Sequence, residues 1–127
     1  MSISSTIDVY IRNDSRFNKG IHCFNSKQWY EAHDYLEDLW HELIGNERTT
    51  IQAMLQIAVA ELHLERGNLK GATILYGEAL GRIQGDNIAD LGKDLGSLCS
   101  VLKLRLQSLQ NNQFPLDIDY PKIVDKN

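Results

Sequence analysis

Apolar side chains recur at intervals of three and four residues along most of the chain, whereas the alternation typical of strands is scarce. This spacing gathers the apolar groups on one side of successive helices, so it predicts an all-α protein. A chain of 127 residues has the length of one domain and can bury a core of its own. We therefore expect a compact bundle of about five helices, at approximately 15–24, 28–43, 49–66, 69–84 and 90–110.

Capping and turn residues set the expected limits of these helices. Asp14 or Ser15 can cap the first helix. The segment Thr49–Gln52 has the pattern of a capping box at the start of the third helix. Gly67 is placed to end that helix in the left-handed conformation, and Asn68 is placed to cap the next one.

The composition divides the chain into three parts. Residues 1–13 are predicted to form an N-terminal arm, and residues 14–110 a single helical domain. Residues 111–127 contain both prolines and are predicted to form an extended tail. The tail residues that could lie over the bundle are Phe114, Leu116, Ile118 and Tyr120.

A weak internal repeat relates two parts of the helical domain. The second part has the small, aromatic and glycine spacing of a tetratricopeptide hairpin, and the first part matches it at fewer positions. The offset between the two parts is 40 residues, longer than the 34 residues of that repeat. We therefore predict two tetratricopeptide-like antiparallel hairpins and a closing helix. The matching positions are Ala60, His63, Gly67, Ala72, Tyr76 and Ala79, with Gly20, Ala32 and Leu36 in the first hairpin.

Charge and composition argue against several classes of partner. The net charge is −4, and no large cluster of Lys or Arg is present, so we expect no nucleic-acid partner. Polar residues interrupt the most apolar segment, residues 51–64, so we expect no membrane span. The N-terminus has no signal-peptide pattern, and Cys23 and Cys99 form no CxxC pair. These features favour a cytoplasmic protein with free thiols.

The second predicted helix places a titratable pair beside its apolar face. At 100° per residue, His33 falls next to Trp40 within this face, and Glu37 lies at its edge. The apolar members of the face are Ala32, Leu36, Leu39, Trp40 and Leu43, all of which are expected in the core. The acidic residues that point away from it are Glu31, Asp34, Asp38 and Glu42.

The third predicted helix is apolar around most of its circumference, which is typical of a central, buried helix. Gln52, Gln56 and His63 nevertheless line up on one side of it, whereas Glu61 and Glu65 mark its expected solvent side. An unpaired buried polar group costs about 1–3 kcal/mol, so these side chains need partners. Since the two helices should be antiparallel neighbours, we predict a shared polar pocket. Its members are His33, Glu37, Gln52, Gln56 and His63, with Arg48 at the loop end.

The side chains of this pocket favour a non-enzymatic binding or protein-interaction module. Neutral His and Gln donate and accept hydrogen bonds, and Glu37 can hold a cationic group. The expected partner is a small ligand or a segment of another protein, and apolar helix faces also permit self-association into a homo-oligomer. No cofactor is predicted.

Two alternatives stay open. In a small hydrolase or metal-dependent enzyme, Glu37 or His33 would act as the general base, and His33, Glu37 and His63 could bind zinc or iron. A helical di-metal centre is not indicated, because only Asp38 and His41 have the required spacing and they face away from the core. The second alternative is a purely structural role, in which the polar residues satisfy one another in the core.

Two quoted stretches carry a family resemblance. The sequence FNKGIHCFNSKQWYEAHDYLEDLW, followed by IQAMLQIAVAELHLERGNLKGATIL, closely resembles the helical family catalogued as domain of unknown function 309. The matching elements are the EAH…E…W residues Glu31, Ala32, His33, Glu37 and Trp40, and the GN..GA residues Gly67, Asn68, Gly71 and Ala72. The departures are Lys27 in place of Gly, Asp34 in place of Glu, and Ala53 in place of Gly. The resemblance implies an all-helical, tetratricopeptide-like bundle and assigns neither a reaction nor functional residues.

Overall fold

The computed structural model describes residues 3–127 and contains six helices over this range. The prediction of an all-helical bundle is confirmed, and between residues 3 and 127 no strand forms beyond an isolated bridge of Lys93 with Asp125. The helices are α1 (Ile3–Arg12), α2 (Ser15–Asn25), α3 (Trp29–Trp40), α4 (Gly45–Glu65), α5 (Leu69–Gln84) and α6 (Leu95–Gln110). The sequence analysis did not predict α1, which lies in the N-terminal arm. Across the described range, no helix combines the length and the apolar character needed to cross a bilayer.

Helix α4 is the central element. Two successive hairpins, α2 with α3 and α4 with α5, pack side by side through α3 and α4, and α6 packs on α5. Buried residues occupy most of the circumference of α4, as its nearly continuous apolar character predicts. The central position of α4 leaves little of its surface open, which limits where it could bind a ligand.

Several predicted helix ends are confirmed. The Asp14 carboxylate accepts a hydrogen bond from the backbone N–H of Arg16 at the start of α2. Gly67 has a φ of 75° and follows α4, and the Asn68 side chain accepts from the backbone N–H of Gly71 at the start of α5. These residues act as the cap rules predict.

Other predicted helix ends are wrong by several residues. Helix α3 ends at Trp40, and α4 begins at Gly45, so Thr49 lies inside α4 and does not cap it. The Thr49 hydroxyl donates to the Gly45 carbonyl oxygen one turn earlier, which is an alternative use of the same side chain. Helix α6 begins at Leu95, because Leu91 has a φ of 54° and the Asp94 carboxylate caps the helix.

A buried ion pair connects α4, α5 and α6. Arg105 Nη2 lies 2.6 Å from Glu61 Oε1, and the two side chains are 1% and 2% exposed. The Tyr76 hydroxyl donates to Glu61 Oε1 at 2.8 Å and accepts from Arg105 Nε at 2.8 Å. The prediction that Glu61 lies on the solvent side is therefore wrong, because a cation from a helix 44 residues later covers it.

Burial dominates the ionisation of this cluster. It raises the pKa of Glu61, against the opposing effects of the Arg105 charge and the Tyr76 hydrogen bond. It also raises the pKa of Tyr76 well above its ordinary value, and the Glu61 charge adds to that shift. Tyr76 therefore stays neutral and keeps its hydroxyl proton for Glu61.

Arg105 also holds the segment that follows α6. Its Nη1 donates to the carbonyl oxygens of Ile118 at 3.1 Å and Asp119 at 3.2 Å. The Tyr120 ring stacks on Trp29, with the ring centres 6.3 Å apart. The residues of this segment that are buried are Pro115, Pro121 and Ile123, whereas Leu116 is 81% exposed.

Lys27 adopts a conformation that favours glycine. Its φ is 62°, and its ammonium lies 4.0 Å from the centre of the Tyr120 ring. The resemblance described above implies Gly at this position, which adopts such a conformation without strain. The cation–π contact partly compensates the strain of the left-handed backbone.

We expect Arg105→Met to lower the free energy of unfolding by about 3–5 kcal/mol, because it leaves the Glu61 carboxylate buried without its cation. Urea denaturation measures this loss. Arg82→Met is the matched control, since Arg82 donates only to a helix carbonyl at 3.4 Å and should contribute below about 1 kcal/mol.

The double variant Glu61→Leu/Arg105→Met should recover much of the lost stability, because no uncompensated charge remains in the interior. Limited proteolysis should still cleave residues 111–119 faster than in the wild type, because Ile118 and Asp119 have lost their donor. A loss below about 1 kcal/mol for Arg105→Met alone would contradict this account.

At position 27 we expect Lys27→Gly to be more stable than Lys27→Ala by about 1 kcal/mol, because only glycine adopts a positive φ without strain. Both variants lose the contact with Tyr120, so their difference isolates the backbone term. Thermal unfolding of the two variants measures it, and equal stabilities would contradict the expectation.

Candidate functional site

Helix α4 has one partly open side. The α4 residues Arg48, Gln52, Leu55, Val59, Leu62 and His63 are partly exposed, and the helical repeat places them within about 100° of one another. Gln56 lies at the edge of this side and is only 8% exposed. Glu61 follows Gln52 by nine residues and points in the opposite direction, towards α6. We call the six residues His33, Glu37, Arg48, Gln52, Gln56 and His63 the polar face.

Helix α3 contributes a His–Glu contact at the edge of its buried side. His33 Nε2 lies 2.7 Å from Glu37 Oε2, one turn apart, and their side chains are 24% and 45% exposed. His41 Nε2 lies 3.8 Å from the other oxygen of Glu37. The pair is therefore accessible from solvent, while the apolar face of α3 beside it is fully buried at Ala32, Leu36 and Leu39.

Arg48 and Trp40 join α3 to α4 near their connecting loop. The Arg48 guanidinium carbon lies 4.0 Å from the centre of the Trp40 ring, which is a cation–π contact. Trp40 Nε1 and Arg48 Nε are both buried, and neither has a hydrogen-bond partner among residues 3–127. Two donors without acceptors at one contact are unusual, because native interiors pair nearly all such groups.

The antiparallel register of α3 and α4 orders the remaining residues. Counting away from the Trp40–Arg48 contact, Glu37 comes within one residue of the level of Gln52, and His33 comes within one residue of the level of Gln56. His63 lies seven residues beyond Gln56, or about 10 Å farther along the helix axis. The polar face therefore extends along the length of α4 and does not form a single cluster.

Helix α5 borders the polar face on the side away from α3. Gln56 Nε2 lies 3.4 Å from Glu78 Oε2, a long hydrogen bond, and Gln56 Oε1 is buried without a partner. His63 Nδ1 lies 3.1 Å from Asn68 Nδ2. The polar face is therefore bordered by α3 at Trp40 and by α5 at Glu78.

The turn between α4 and α5 explains the GN..GA motif. A Cβ on Gly71 would lie 3.1 Å from the His63 ring and 2.6 Å from Asn68 Nδ2, so only glycine fits there without a shift. Gly67 supplies the left-handed residue, and Asn68 supplies the cap. His63 thus packs into this turn, which is a structural use of that residue.

The contacts unite only some of the predicted residues. His33 meets Glu37, but between residues 3 and 127 no hydrogen bond or ion pair joins His63 to either of them. In the same range, no three His, Cys, Asp or Glu side chains form a group that could hold a metal ion. The three-residue zinc or iron site considered above is therefore not formed.

Sequence analysis missed two participants in this region. Trp40 was expected in the core, but it is partly exposed and carries an unpaired indole N–H against Arg48. Glu78, the partner of Gln56, lies on α5. Glu78 has no distinctive sequence signal, because its contact depends on how α5 is rotated against α4.

Comparison with known proteins gives a family and no relative of known activity. Residues 17–75 match the sequence model of the family described as Domain of unknown function (DUF309). Among curated proteins, none matches the chain. The matched segment contains α3 and α4 entirely and therefore includes all six residues of the polar face.

We expect Gln56→Met to leave the free energy of unfolding unchanged or to raise it by up to about 1 kcal/mol, because it removes a buried amide oxygen that has no partner. Urea denaturation measures the change, and Gln52→Met at the neighbouring, partly exposed position is the control. A loss above about 2 kcal/mol at position 56 would favour the purely structural role of the polar residues.

Proposed function

We propose that this chain, which carries the domain of unknown function 309, is a non-enzymatic binding module whose polar face receives a short extended segment of a partner protein. The observation that carries the proposal is the single partly open side of α4, where polar side chains interrupt an otherwise buried helix. A partly exposed amide at Gln52 and a buried amide oxygen at Gln56 without a partner in the described residues do not help the helix to fold, so binding gives a reason for them.

The dimensions of the polar face suit a peptide. The 16 residues from Arg48 to His63 span about 22 Å along α4, which exceeds the length of most small metabolites. An extended peptide rises about 3.3 Å per residue, so about seven residues would cover this length. A small ligand would occupy only part of it.

The chemistry of the polar face also suits a peptide. A peptide backbone presents alternating N–H and C=O groups, and Gln52 and Gln56 can each donate to and accept from such groups. Leu55, Val59 and Leu62 lie partly exposed between the polar side chains and offer apolar contact to the side chains of a segment. The half-exposed Glu37 carboxylate can hold a basic residue.

The compartment proposed for this binding is the cytoplasm. Cys23 and Cys99 are free thiols, and Cys23 is buried. Free thiols of this kind are typical of a reducing compartment. A cytoplasmic partner is therefore the expected source of the segment.

Selection from a displayed library of random linear peptides, about seven residues long, tests the proposal. Synthetic copies of the enriched sequences are then titrated against the wild type and Gln56→Met by isothermal titration calorimetry. We expect at least about tenfold weaker binding to Gln56→Met, which has lost the amide near the centre of the polar face.

Leu116→Ser is the matched control, because Leu116 is 81% exposed on the segment after α6, away from the polar face, and should not affect binding. Enriched peptides that bind Gln56→Met and the wild type equally would place their contacts elsewhere and contradict the proposal. Failure of the library to enrich any sequence would also count against a partner segment.

A further inference from the structure

Arg48 is the one residue of the polar face with a fixed positive charge, and no carboxylate neutralises it. Within residues 3–127 it makes no ion pair, and its guanidinium carbon instead lies 4.0 Å from the centre of the Trp40 ring. A guanidinium that contacts a ring face can still bind a planar anion in two places through its N–H groups. Its contact with Trp40 therefore does not use up its donors.

The neighbouring acidic side chains are engaged elsewhere. Arg16 of α2 contacts the carboxylates of Asp38 and Glu42, which flank Trp40 along the chain. The Glu37 carboxylate is paired with His33 at 2.7 Å. Glu47 precedes Arg48 directly and is buried, but within residues 3–127 no ion pair joins the two side chains.

Two further features favour an anion at this end of the polar face. Trp40 Nε1 is a second donor without an acceptor, next to the unpaired Arg48 Nε. Arg48 also lies in the first turn of α4, and Ile44, which precedes the helix, makes no side-chain hydrogen bond to that turn. The positive end of the helix dipole therefore lies beside Arg48, and the acidic Glu47 in the same turn offsets part of it.

We infer that Arg48 and Trp40 form a carboxylate-binding subsite that anchors one end of the partner segment. The carboxylate comes from the C-terminus of the segment or from an acidic side chain. Arg48 Nε and Trp40 Nε1 are covered by neighbouring atoms, so the flexible Arg48 side chain turns to meet the anion. This rotation of the Arg48 side chain replaces unpaired donors with charge-assisted hydrogen bonds. This inference rests on the proposed function and names the group that the polar face recognises.

Three pools of N-acetylated random heptapeptides test the inference. The first pool has a free C-terminal carboxylate, the second is amidated, and the third is amidated but contains one fixed internal Asp. The readout is the Trp40 indole N–H resonance in a 1H–15N NMR spectrum, assigned by comparison with Trp40→Phe. We expect the free-acid pool to shift this resonance, with the amidated pool at least about tenfold weaker.

Arg48→Gln should weaken binding of the free-acid pool by about tenfold or more. Arg82→Gln is the control, because Arg82 is an arginine of α5 that donates to a backbone carbonyl oxygen and should leave binding unchanged. Arg48→Lys keeps the charge but loses the planar fork, so it should bind with intermediate affinity.

Each outcome separates the two proposals. Equal binding of the acid and amide pools, both weakened by Gln56→Met, would overturn the carboxylate subsite and leave the peptide-binding function standing. Binding of the Asp-containing amidated pool at the level of the free acid would support the subsite and identify an acidic side chain as the source. Absence of binding by all three pools would overturn the subsite and count against the proposed function as well.

Discussion

A carboxylate, a phenol and a guanidinium meet in the interior of this protein, and their pairing fixes three parts of the chain. Glu61 belongs to α4, Tyr76 to α5 and Arg105 to α6, and Arg105 also holds the backbone at Ile118 and Asp119. A buried charge without its partner is more unfavourable than the loss of most single apolar contacts. The placement of α6 and the path of the segment after it therefore depend on this network. Because Glu61 points away from the open side of α4, the network secures that helix without occupying the polar face.

The polar face illustrates the opposite situation on the same helix. The buried atoms Trp40 Nε1, Arg48 Nε and Gln56 Oε1 lack hydrogen-bond partners, which lowers the stability of the free protein. Such groups commonly mark sites where stability is exchanged for recognition. One side of α4 thus has a fully paired polar network sealed from solvent, and the other side has a half-open surface with unmatched donors and an acceptor. A binding partner can pair the unmatched groups of the half-open surface, whereas the groups of the buried network are already paired with one another.

Helical periodicity predicts α2 to α6 because each of these helices buries apolar residues that its own sequence reveals. It fails for the ends of α3 and α4, where only the three-dimensional structure shows that α4 starts at Gly45 and that Thr49 bonds within the helix. A helical wheel places Glu61 towards solvent because it considers one helix alone, and the residue that covers Glu61 comes 44 positions later. The same limit applies to the candidate site. The sequence indicates which side of α3 and α4 is polar, but the contact of Gln56 with Glu78 depends on the rotation of α5.

The order in which the chain is made gives the buried network a consequence for folding. Helices α2 to α5 are synthesised before Arg105, so a chain that stops before α6 contains the Tyr76 hydroxyl as a partner for the Glu61 carboxylate but not the Arg105 guanidinium. The Asn25 side chain, at the end of α2, likewise hydrogen-bonds to the backbone of Ile123, which is synthesised 98 residues later. Nascent chains that stall before α6 should therefore remain loosely folded and open to chaperones or proteases. Completion of the last helix and the segment behind it converts an early helical intermediate into the closed domain.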